Sequence, residues 1–295
     1  MRFVERETLR VTLLLASACA GVRCDTSERC ETTTGVCVPA SGGAGGVIGR
    51  DAAVDVLDVG PTHAGKDVCR SLAGMVLIPA GEFDMGSTAA ANEQPVHRVR
   101  LSAFCVDRTE VTVAAYRSCP TTACTEPRSI GACNWGRSDR EDHPINCVDR
   151  SQAQGFCRWR GSDLPTEAQW EYAARGTDGR PYAWGEDAPS SRACWSGVAM
   201  RQGTCPAGAV EGDVSPFGVR DLGGNLTEWV RDLYGPYSDD TFMDPDGPAI
   251  GADFVTRGGA WDDDVESRLR STRRGGNNPI LQAYVFGFRC AAAPR

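Results

Sequence analysis

Residues 164–176 read Leu-Pro-Thr-Glu-Ala-Gln-Trp-Glu-Tyr-Ala-Ala-Arg-Gly, and they predict a helix with both ends marked. Thr166 and Gln169 have the spacing of a capping box behind Pro165, in which each side chain accepts a hydrogen bond from the other residue's backbone N–H. Gly176 follows the pattern and can adopt the positive φ that ends a helix. The stretch therefore predicts a short helix that ends at Arg175.

The residues before this helix predict short strands and two more helices. Residues 75–79 indicate a short apolar strand, and residues 96–106 predict one further strand. Thr112 is placed to cap a helix that runs to Cys119. Another helix is expected over residues 151–159. Strands and helices of this length favour a mixed architecture.

The composition of the chain favours a loop-rich α+β fold over a helical bundle. The 295 residues include 34 Gly and 17 Pro, and 41% of the residues are hydrophobic, which is enough for a true core. Residues 180–295 alternate Gly, Pro, Asp and Trp without sustained periodicity, and no internal repeat is found. This half of the domain is therefore expected to consist of loops held by cross-links and tryptophans.

The charge and the histidines exclude two classes of function. A formal net charge of −8 without any basic run argues against a nucleic-acid surface. The three histidines, His63, His97 and His143, lack the paired spacing of metal ligands. A zinc or iron site built from histidine is therefore not expected.

The fourteen cysteines indicate disulfides formed in an oxidising compartment, since they lack the repeated C-x2-C spacing of zinc ribbons. The N-terminus agrees. Residues 1–18 predict a signal peptide, with an apolar stretch over 11–18 and Ala-Ser-Ala as the cleavage site. The stretch is too short to span a bilayer. Its basic region consists of Arg2, Arg6 and Arg10.

Residues 19–37 form a small Cys-rich segment, in which Cys19, Cys24, Cys30 and Cys37 could close two disulfides. Residues 15–19 also resemble a lipobox with Cys19 as the lipid acceptor. Lipidation would leave an odd number of cysteines, so parity favours the disulfide interpretation. Residues 38–68 predict a flexible linker, because their glycines lack the residues of a phosphate loop. Residues 69–295 form the main domain.

Seven segments of that domain, taken in order, resemble the formylglycine-generating-enzyme family, also called the sulfatase-modifying factor family. They are residues 74–86, 107–112, 164–175, 182–185, 217–229, 257–261 and 287–290. The resemblance implies an elaborated, loop-rich C-type-lectin-like fold of the α+β class. Active members of the family oxidise a sulfatase cysteine to formylglycine with molecular oxygen.

The resemblance places Asp263 and Arg268 where active members carry the two cysteines that hold copper(I). Thiolate is the natural ligand of this soft ion, whereas a carboxylate is a poor ligand and a guanidinium is none. Ala260 also replaces the family's serine beside the oxygen site. No cysteine lies between residues 205 and 290, so a small shift of the alignment cannot restore the pair. The resemblance thus implies no copper and no catalytic residues of the standard kind.

The family pattern also implies a disulfide between Cys157 and Cys290. The second family disulfide would fall on Ala174 and Arg273, where both partners are missing. The loss of both halves together is consistent with a folded variant of the family.

One family calcium site matches this chain. It implies side-chain oxygens from Asp221 and Glu228, and a mixed set of carboxylate and carbonyl oxygens suits calcium. The carbonyl ligands would come from Leu222, Gly224 and Leu226. The alternative is a tight turn with a capped acid and no ion.

The other family calcium site does not match, because its first ligand falls on Cys194. A Cys194–Cys205 disulfide is expected to close the loop that the ion otherwise organises. The pairing of the other domain cysteines stays open; they are Cys69, Cys105, Cys119, Cys124, Cys133 and Cys147.

Three consecutive aspartates, residues 262–264, lie where the active site should be, together with Glu266. Neighbouring residues of an extended segment point to opposite faces, so these aspartates are not expected to converge on one ion. Three interpretations of this acidic segment stay open: a solvated acidic loop, a ligand-contacting groove and a new catalytic centre. The groove candidates are Ala260, Trp261, Asp262, Asp264 and Arg270. The arginines that could neutralise the acids are Arg268, Arg270, Arg273 and Arg274.

The motif tryptophans are expected to be core anchors rather than a sugar-stacking platform; they are Trp159, Trp170, Trp184, Trp229 and Trp261.

Three functions compete. The first is a non-catalytic binding or scaffold domain, a pseudoenzyme, whose ligand is an unknown peptide, protein or glycan. The second is an enzyme with altered chemistry in the same groove. The third is an accessory component of a surface assembly. In each case the protein is expected to be exported, to the periplasm, the cell surface or the medium. A membrane contact is expected only through lipidation of Cys19.

Overall fold

The computed structural model describes residues 28–30, 37–39, 69 and 74–294. The predicted signal peptide, Cys19 and nearly all of the predicted linker lie outside these residues. The chain divides into two units, residues 1–59 and 60–295. In the first unit, β1 (Glu28–Cys30) and β2 (Cys37–Pro39) pair in antiparallel register. None of the described helices is long and apolar enough to span a membrane.

The described part of the second unit contains ten short strands. They are β3 (Met75–Ile78), β4 (Gly81–Met85), β5 (His97–Leu101), β6 (Phe104–Asp107), β7 (Thr227–Leu233), β8 (Phe242–Met243), β9 (Phe254–Arg257), β10 (Arg274–Asn277), β11 (Phe286–Gly287) and β12 (Ala291–Ala292). They form three sheets with the orders β10-β9-β7-β11, β12-β6-β3 and β4-β5-β8.

Helices α1 (Val113–Arg117), α2 (Arg150–Trp159) and α3 (Glu167–Arg175) pack against these sheets. The predicted capping box at the start of α3 is present, and Gly176 ends the helix with φ of 65°. The α2 helix has a capping box of its own, formed by Asp149 and Gln152. The predicted helices at both places are thus confirmed.

Two sequence-based boundaries are wrong. The strand predicted over residues 96–106 is two strands, β5 and β6, which belong to different sheets. Ser102 ends the first strand, because its N–H and its hydroxyl both donate to the Asp244 carboxylate, at 2.8 and 2.7 Å. The helix predicted to run to Cys119 already ends at Arg117. Pro120 follows closely, and proline disfavours helical backbone in the residue before it.

The core consists of two main apolar clusters. The first packs α1 and α2 around Phe156, Phe288 and Trp229, and the second packs α3 against β3–β6 through Trp170 and Tyr172. Three of the five motif tryptophans are buried as expected. Trp184 is half-buried and stacks on Tyr182, with ring centroids 5.0 Å apart. Trp159 is exposed at the end of α2, so its predicted role as a core anchor is wrong.

Five disulfides cross-link the described domain. Cys157 and Cys290 are bonded with Cα atoms 5.5 Å apart, and Cys194 is bonded to Cys205, as predicted for both pairs. The structure resolves the pairings that the sequence left open. They are Cys69–Cys105, Cys119–Cys124 and Cys133–Cys147. None of the described cysteines is free.

Candidate ligand groove and calcium site

Asp263 and Arg268 form an ion pair, with 3.2 Å between Arg268 Nη1 and Asp263 Oδ1. Asp263 Oδ2 accepts a second hydrogen bond from the Ala260 N–H, at 2.8 Å. The Asp263 side chain is 8% exposed and the Arg268 side chain 56%. A buried carboxylate is costly unless it is paired, and the guanidinium pays that cost here while it reaches solvent. Asp263 and Arg268 are therefore ion-pair partners of each other.

The three aspartates do not converge. Asp263 is buried, while Asp262 and Asp264 on either side of it are exposed, and Asp262 lies in a turn in which the Asp263 N–H donates to the Ala260 carbonyl at 3.1 Å. Although Asp262 is exposed, the surrounding protein removes part of its hydration, and this desolvation, and next the charge of Asp263, raise the pKa of Asp262 above its ordinary value. Trp261 is buried against Tyr284, with ring centroids 5.5 Å apart. This geometry presents two separate carboxylates to solvent.

Of the four nearby arginines, only Arg268 pairs with this acidic segment. Arg270, a groove candidate from the sequence, binds Glu93 instead, at 2.7 and 3.0 Å. Arg273 donates to the Gly258 carbonyl at 2.6 Å. Arg274 donates to Glu167 through two nitrogens, at 2.7 Å each. Of the four arginines that could neutralise the aspartates, three do not, because buried acids bind Arg270 and Arg274 and a backbone carbonyl binds Arg273.

The loop closed by the Cys194–Cys205 disulfide lies beside this segment. Ser196 donates from its N–H to the Asp263 carbonyl and from its hydroxyl to the Trp261 carbonyl, at 2.8 and 2.9 Å. The loop exposes Val198 and Met200, at 62% and 85%. The loop, including Trp195, also lines a cavity of about 460 Å³ together with Arg140. Sequence reasoning missed these residues, although apolar side chains in a short cross-linked loop are a usable signal.

The predicted calcium ligands Asp221 and Glu228 are both buried. Asp221 Oδ2 accepts from the Gly208 N–H, and burial raises the pKa of Asp221 to about 6. Glu228 accepts from Arg289 at 2.6 and 2.7 Å and from Trp170 Nε1 at 2.8 Å. The two carboxylates therefore belong to one buried network.

Two further buried carboxylates, Glu110 and Asp213, join this network and were not assigned from the sequence. Glu110 accepts from the Leu226 N–H and from Asn225, at 2.9 and 2.7 Å. Asp213 accepts from the N–H groups of Leu222 and Gly223, at 3.2 and 3.0 Å. Burial, and next the charge of Asp221, raise the pKa of Asp213 to about 7. Glu110 lies in one of the segments that carry the family resemblance, residues 107–112, whereas no sequence pattern around Asp213 marks it as a site residue.

The excess of negative charge in this buried network is compatible with a bound cation. Four carboxylates, at residues 110, 213, 221 and 228, interact with the guanidinium of Arg289, and Asp221 also interacts with that of Arg220. A carboxylate offers about four acceptor sites, so the hydrogen bonds described leave sites on Asp221 and one on Glu228 Oε1. No three His, Cys, Asp or Glu side chains among the described residues are grouped to hold a metal. Backbone carbonyls would therefore have to supply most of the ligands.

Comparison with known proteins agrees with this fold. Residues 62–294 match the Sulfatase-modifying factor enzyme 1-like domain. The formylglycine-generating enzyme of Streptomyces coelicolor is 33% identical over 75% of this chain and 90% of its own length. That of Mus musculus is 28% identical over 96% of this chain and 94% of its own length.

Two solved structures share the fold. Treponema denticola variable protein 1 superposes with a TM-score of 0.64 at 24% identity, covering 75% of this chain and 95% of its own. PvdO from Pseudomonas aeruginosa gives a TM-score of 0.60 at 24% identity, covering 74% and 93%. The domain is therefore an α+β protein of the C-type-lectin-like, formylglycine-generating-enzyme type. The chain belongs to the sulfatase-modifying factor family.

Proposed function

We propose that this chain is a non-catalytic, exported binding domain of the sulfatase-modifying factor family. The observation that carries the proposal is the Asp263–Arg268 ion pair, which occupies the two positions where the family resemblance expects copper-binding cysteines. The described cysteines are all oxidised to disulfides, so none of them offers a thiolate to copper(I). Without a thiolate pair, the family's oxygen chemistry has no metal centre.

The surface beside the ion pair supports a binding role. Asp262 and Asp264 are exposed, and the neighbouring disulfide loop, whose Ser196 donates to the carbonyls of Trp261 and Asp263, exposes the apolar side chains of Val198 and Met200. Acidic groups beside exposed apolar side chains suit a basic peptide or protein segment, through charge complementarity and burial of apolar area. We therefore infer a peptide or protein ligand, in preference to a glycan, and no nucleic acid.

One calcium ion is part of this proposal. Asp221 and Glu228 would hold it together with the carbonyl groups of Leu222, Gly224 and Leu226. When bound, the ion would supply positive charge to a buried network with an excess of carboxylates. Its role is structural, because the network lies in the core rather than at the acidic surface.

Export is supported by the N-terminal sequence and by the cysteine usage. Residues 1–18 have the features of a signal peptide, and disulfides persist in oxidising compartments. Cleavage before Cys19, with or without lipid on that residue, would place the domain in the periplasm, at the cell surface or in the medium. Mass spectrometry of the mature N-terminus distinguishes these outcomes.

A formylglycine assay tests the non-catalytic assignment. The purified protein is incubated with a sulfatase-type cysteine peptide, with and without copper(I), beside the Streptomyces coelicolor enzyme as the active control. We expect no loss of the peptide cysteine and no stoichiometric copper(I) binding. The triple variant Ala260→Ser, Asp263→Cys, Arg268→Cys is expected to gain copper(I) binding. Turnover by the unmodified chain would overturn the proposal.

The binding assignment needs its own test. A library of basic peptides is screened against the chain by fluorescence anisotropy, and hits are repeated with the double variant Asp262→Asn, Asp264→Asn. We expect weaker binding by this variant and unchanged binding by the control Asp239→Asn, Asp240→Asn, whose acids are also exposed. Equal affinities for both double variants would place the ligand elsewhere.

A further inference from the structure

A second cavity, of about 310 Å³, lies at the start of α3 and next to strands β5 and β8. Its volume is at the lower end of the range for small-molecule sites. None of the residues that line it belongs to the Asp263–Arg268 segment. The lining side chains include Met85, His97, Glu167, Asp232, Tyr237, Phe242 and Arg274.

Most of the charges in this cavity are already paired. Glu167 accepts two hydrogen bonds from Arg274 at 2.7 Å and one from Arg257 at 3.1 Å. The Tyr237 hydroxyl donates to the same carboxylate at 3.0 Å. Arg274 also donates to the carbonyls of Asn92 and Gly235, at 3.2 and 2.8 Å. The guanidinium is therefore satisfied within the protein.

Asp232 is the exception. Its side chain lies at the end of β7 in a residue that is only 3% exposed. Its Oδ2 accepts from the Glu167 N–H at 2.8 Å, and it forms no ion pair with a described residue, although the charges of Arg231 and Arg274 lower its pKa from further away. A buried carboxylate without a direct ion-pair partner is unfavourable. Burial, and next the charge of Glu167, raise the pKa of Asp232 to about 7. The cavity thus contains one carboxylate that a bound cation would stabilise.

The other walls are aromatic and apolar. His97 packs against Tyr237 and Phe242, with ring centroids 4.7 and 6.0 Å apart. Met85 and three prolines, Pro236, Pro245 and Pro248, also line the cavity, with Ser238 and Asp246 as further polar residues. Aromatic faces attract cations, and apolar walls favour a ligand that has a hydrocarbon body.

We propose that this cavity is a binding site for a small organic ammonium compound. Its ammonium group pairs with Asp232, and its apolar or aromatic body packs against the cluster formed by His97, Tyr237 and Phe242. The site goes beyond the proposed binding function, since it lies apart from the acidic surface. Loss of one activity would leave the other intact.

Calorimetric titration of the full chain tests the site with three probes of nearly equal shape: 2-phenylethylamine, 2-phenylethanol and 3-phenylpropionate. We expect saturable one-to-one binding of the amine only. The variant Asp232→Asn keeps an oxygen for the Glu167 N–H but removes the charge. It is expected to weaken amine binding by about 30-fold or more, the usual loss when a buried charge pair loses one partner.

The control variant is Asp246→Asn, which removes an exposed carboxylate at the rim that already pairs with Arg231. It is expected to leave the affinity unchanged. Phe242→Ala, which leaves the buried network intact, is expected to weaken binding without loss of folding, and it keeps the test informative if Asp232→Asn unfolds. Any one of three outcomes would overturn the proposal. They are equal binding of the amine and the alcohol, equal amine affinity of the Asp232→Asn variant and the unmodified chain, and no saturable amine binding at millimolar concentration.

Discussion

Asp263 and Arg268 illustrate how a buried acid and an exposed base can compensate for each other. Asp263 is buried and would be destabilising alone, whereas Arg268 reaches it from the surface and forms the ion pair at 3.2 Å. The Ala260 N–H satisfies the second carboxylate oxygen. The ion pair is therefore a specific contact of the folded state.

Replacing Asp263 should test this contact. Asp263→Ala leaves the buried Ala260 N–H without its acceptor, and an unsatisfied buried donor costs about 1–3 kcal/mol. The matched change Asp264→Ala removes an exposed neighbour and should alter the free energy of unfolding by less than about 0.5 kcal/mol. Urea unfolding of both variants measures the difference. Equal effects would show that Asp263 makes no specific contribution.

Asp232 predicts an unusual pH dependence of stability. Its pKa is about 7 in the folded protein and about 4 in the unfolded chain, so the folded state holds an extra proton between these values. Stability should therefore fall as the pH rises through this window. Between pH 5 and pH 7 the loss is about 2 kcal/mol for this one group.

Urea unfolding at several pH values in the presence of EDTA measures this effect. Asp213 and Asp221 contribute in the same direction, so the difference between the unmodified chain and Asp232→Asn isolates the one group. The variant should show the shallower decline with pH. Parallel curves would mean that Asp232 is ionised in the folded state at both ends of the range.

At the scale of elements, the loop before β7 depends on buried acids. Asp221 and Asn225 adopt positive φ values of 58° and 65°, and the intervening glycines allow a tight curve. Carboxylates from residues 110 and 213 satisfy N–H groups of this loop. The loop thus has both the backbone shape and the excess negative charge for one ion.

Chelation should lower the stability of this element. A ligand that binds only the folded state at about 100 times its dissociation constant adds roughly 2.7 kcal/mol. Addition of EDTA to calcium-loaded protein should therefore lower the thermal midpoint, while Asp221→Ala should abolish the response and the exposed control Asp239→Ala should retain it. If EDTA changes neither the unmodified protein nor Asp221→Ala, the loop is a turn without an ion.

The helices were easier to predict than the strands. Capping residues within four positions of each other specify where α2 and α3 begin. Strand β7 begins with four consecutive buried residues, so it lacks the alternation by which strands are recognised. Strands β9 and β10 are four residues each. For these reasons the sheet formed within residues 227–287 could not be identified from the sequence.

For the whole molecule, the Cys157–Cys290 disulfide has the largest expected effect. It joins α2 to the chain just before β12, across a sequence separation of 133 residues. The chain-entropy estimate for a loop of this length is about 5 kcal/mol, against total stabilities of roughly 5–15 kcal/mol for proteins in general. The double variant Cys157→Ala, Cys290→Ala should therefore destabilise the entire domain.

The matched control is Cys119→Ala, Cys124→Ala, whose sequence separation is only 5. The same estimate gives about 2 kcal/mol for that bond. Hydrogen exchange should increase throughout the domain in the first variant and mainly near α1 in the second. Equal losses of stability would mean that strain or residual structure in the unfolded chain outweighs loop entropy.

The sequence by itself determined the family, the α+β class, the two capped helices and the partner of Cys157, because these depend on local signals or on motifs matched in register. Only the tertiary structure decided which acids meet which arginines. Arg270 binds Glu93 and Arg274 binds Glu167, whereas Asp232 forms no ion pair with a described residue. The two ion pairs join residues 177 and 107 positions apart, where no periodicity or spacing connects the partners. They follow from how three small sheets and their loops pack, which is a property of the folded chain as a whole.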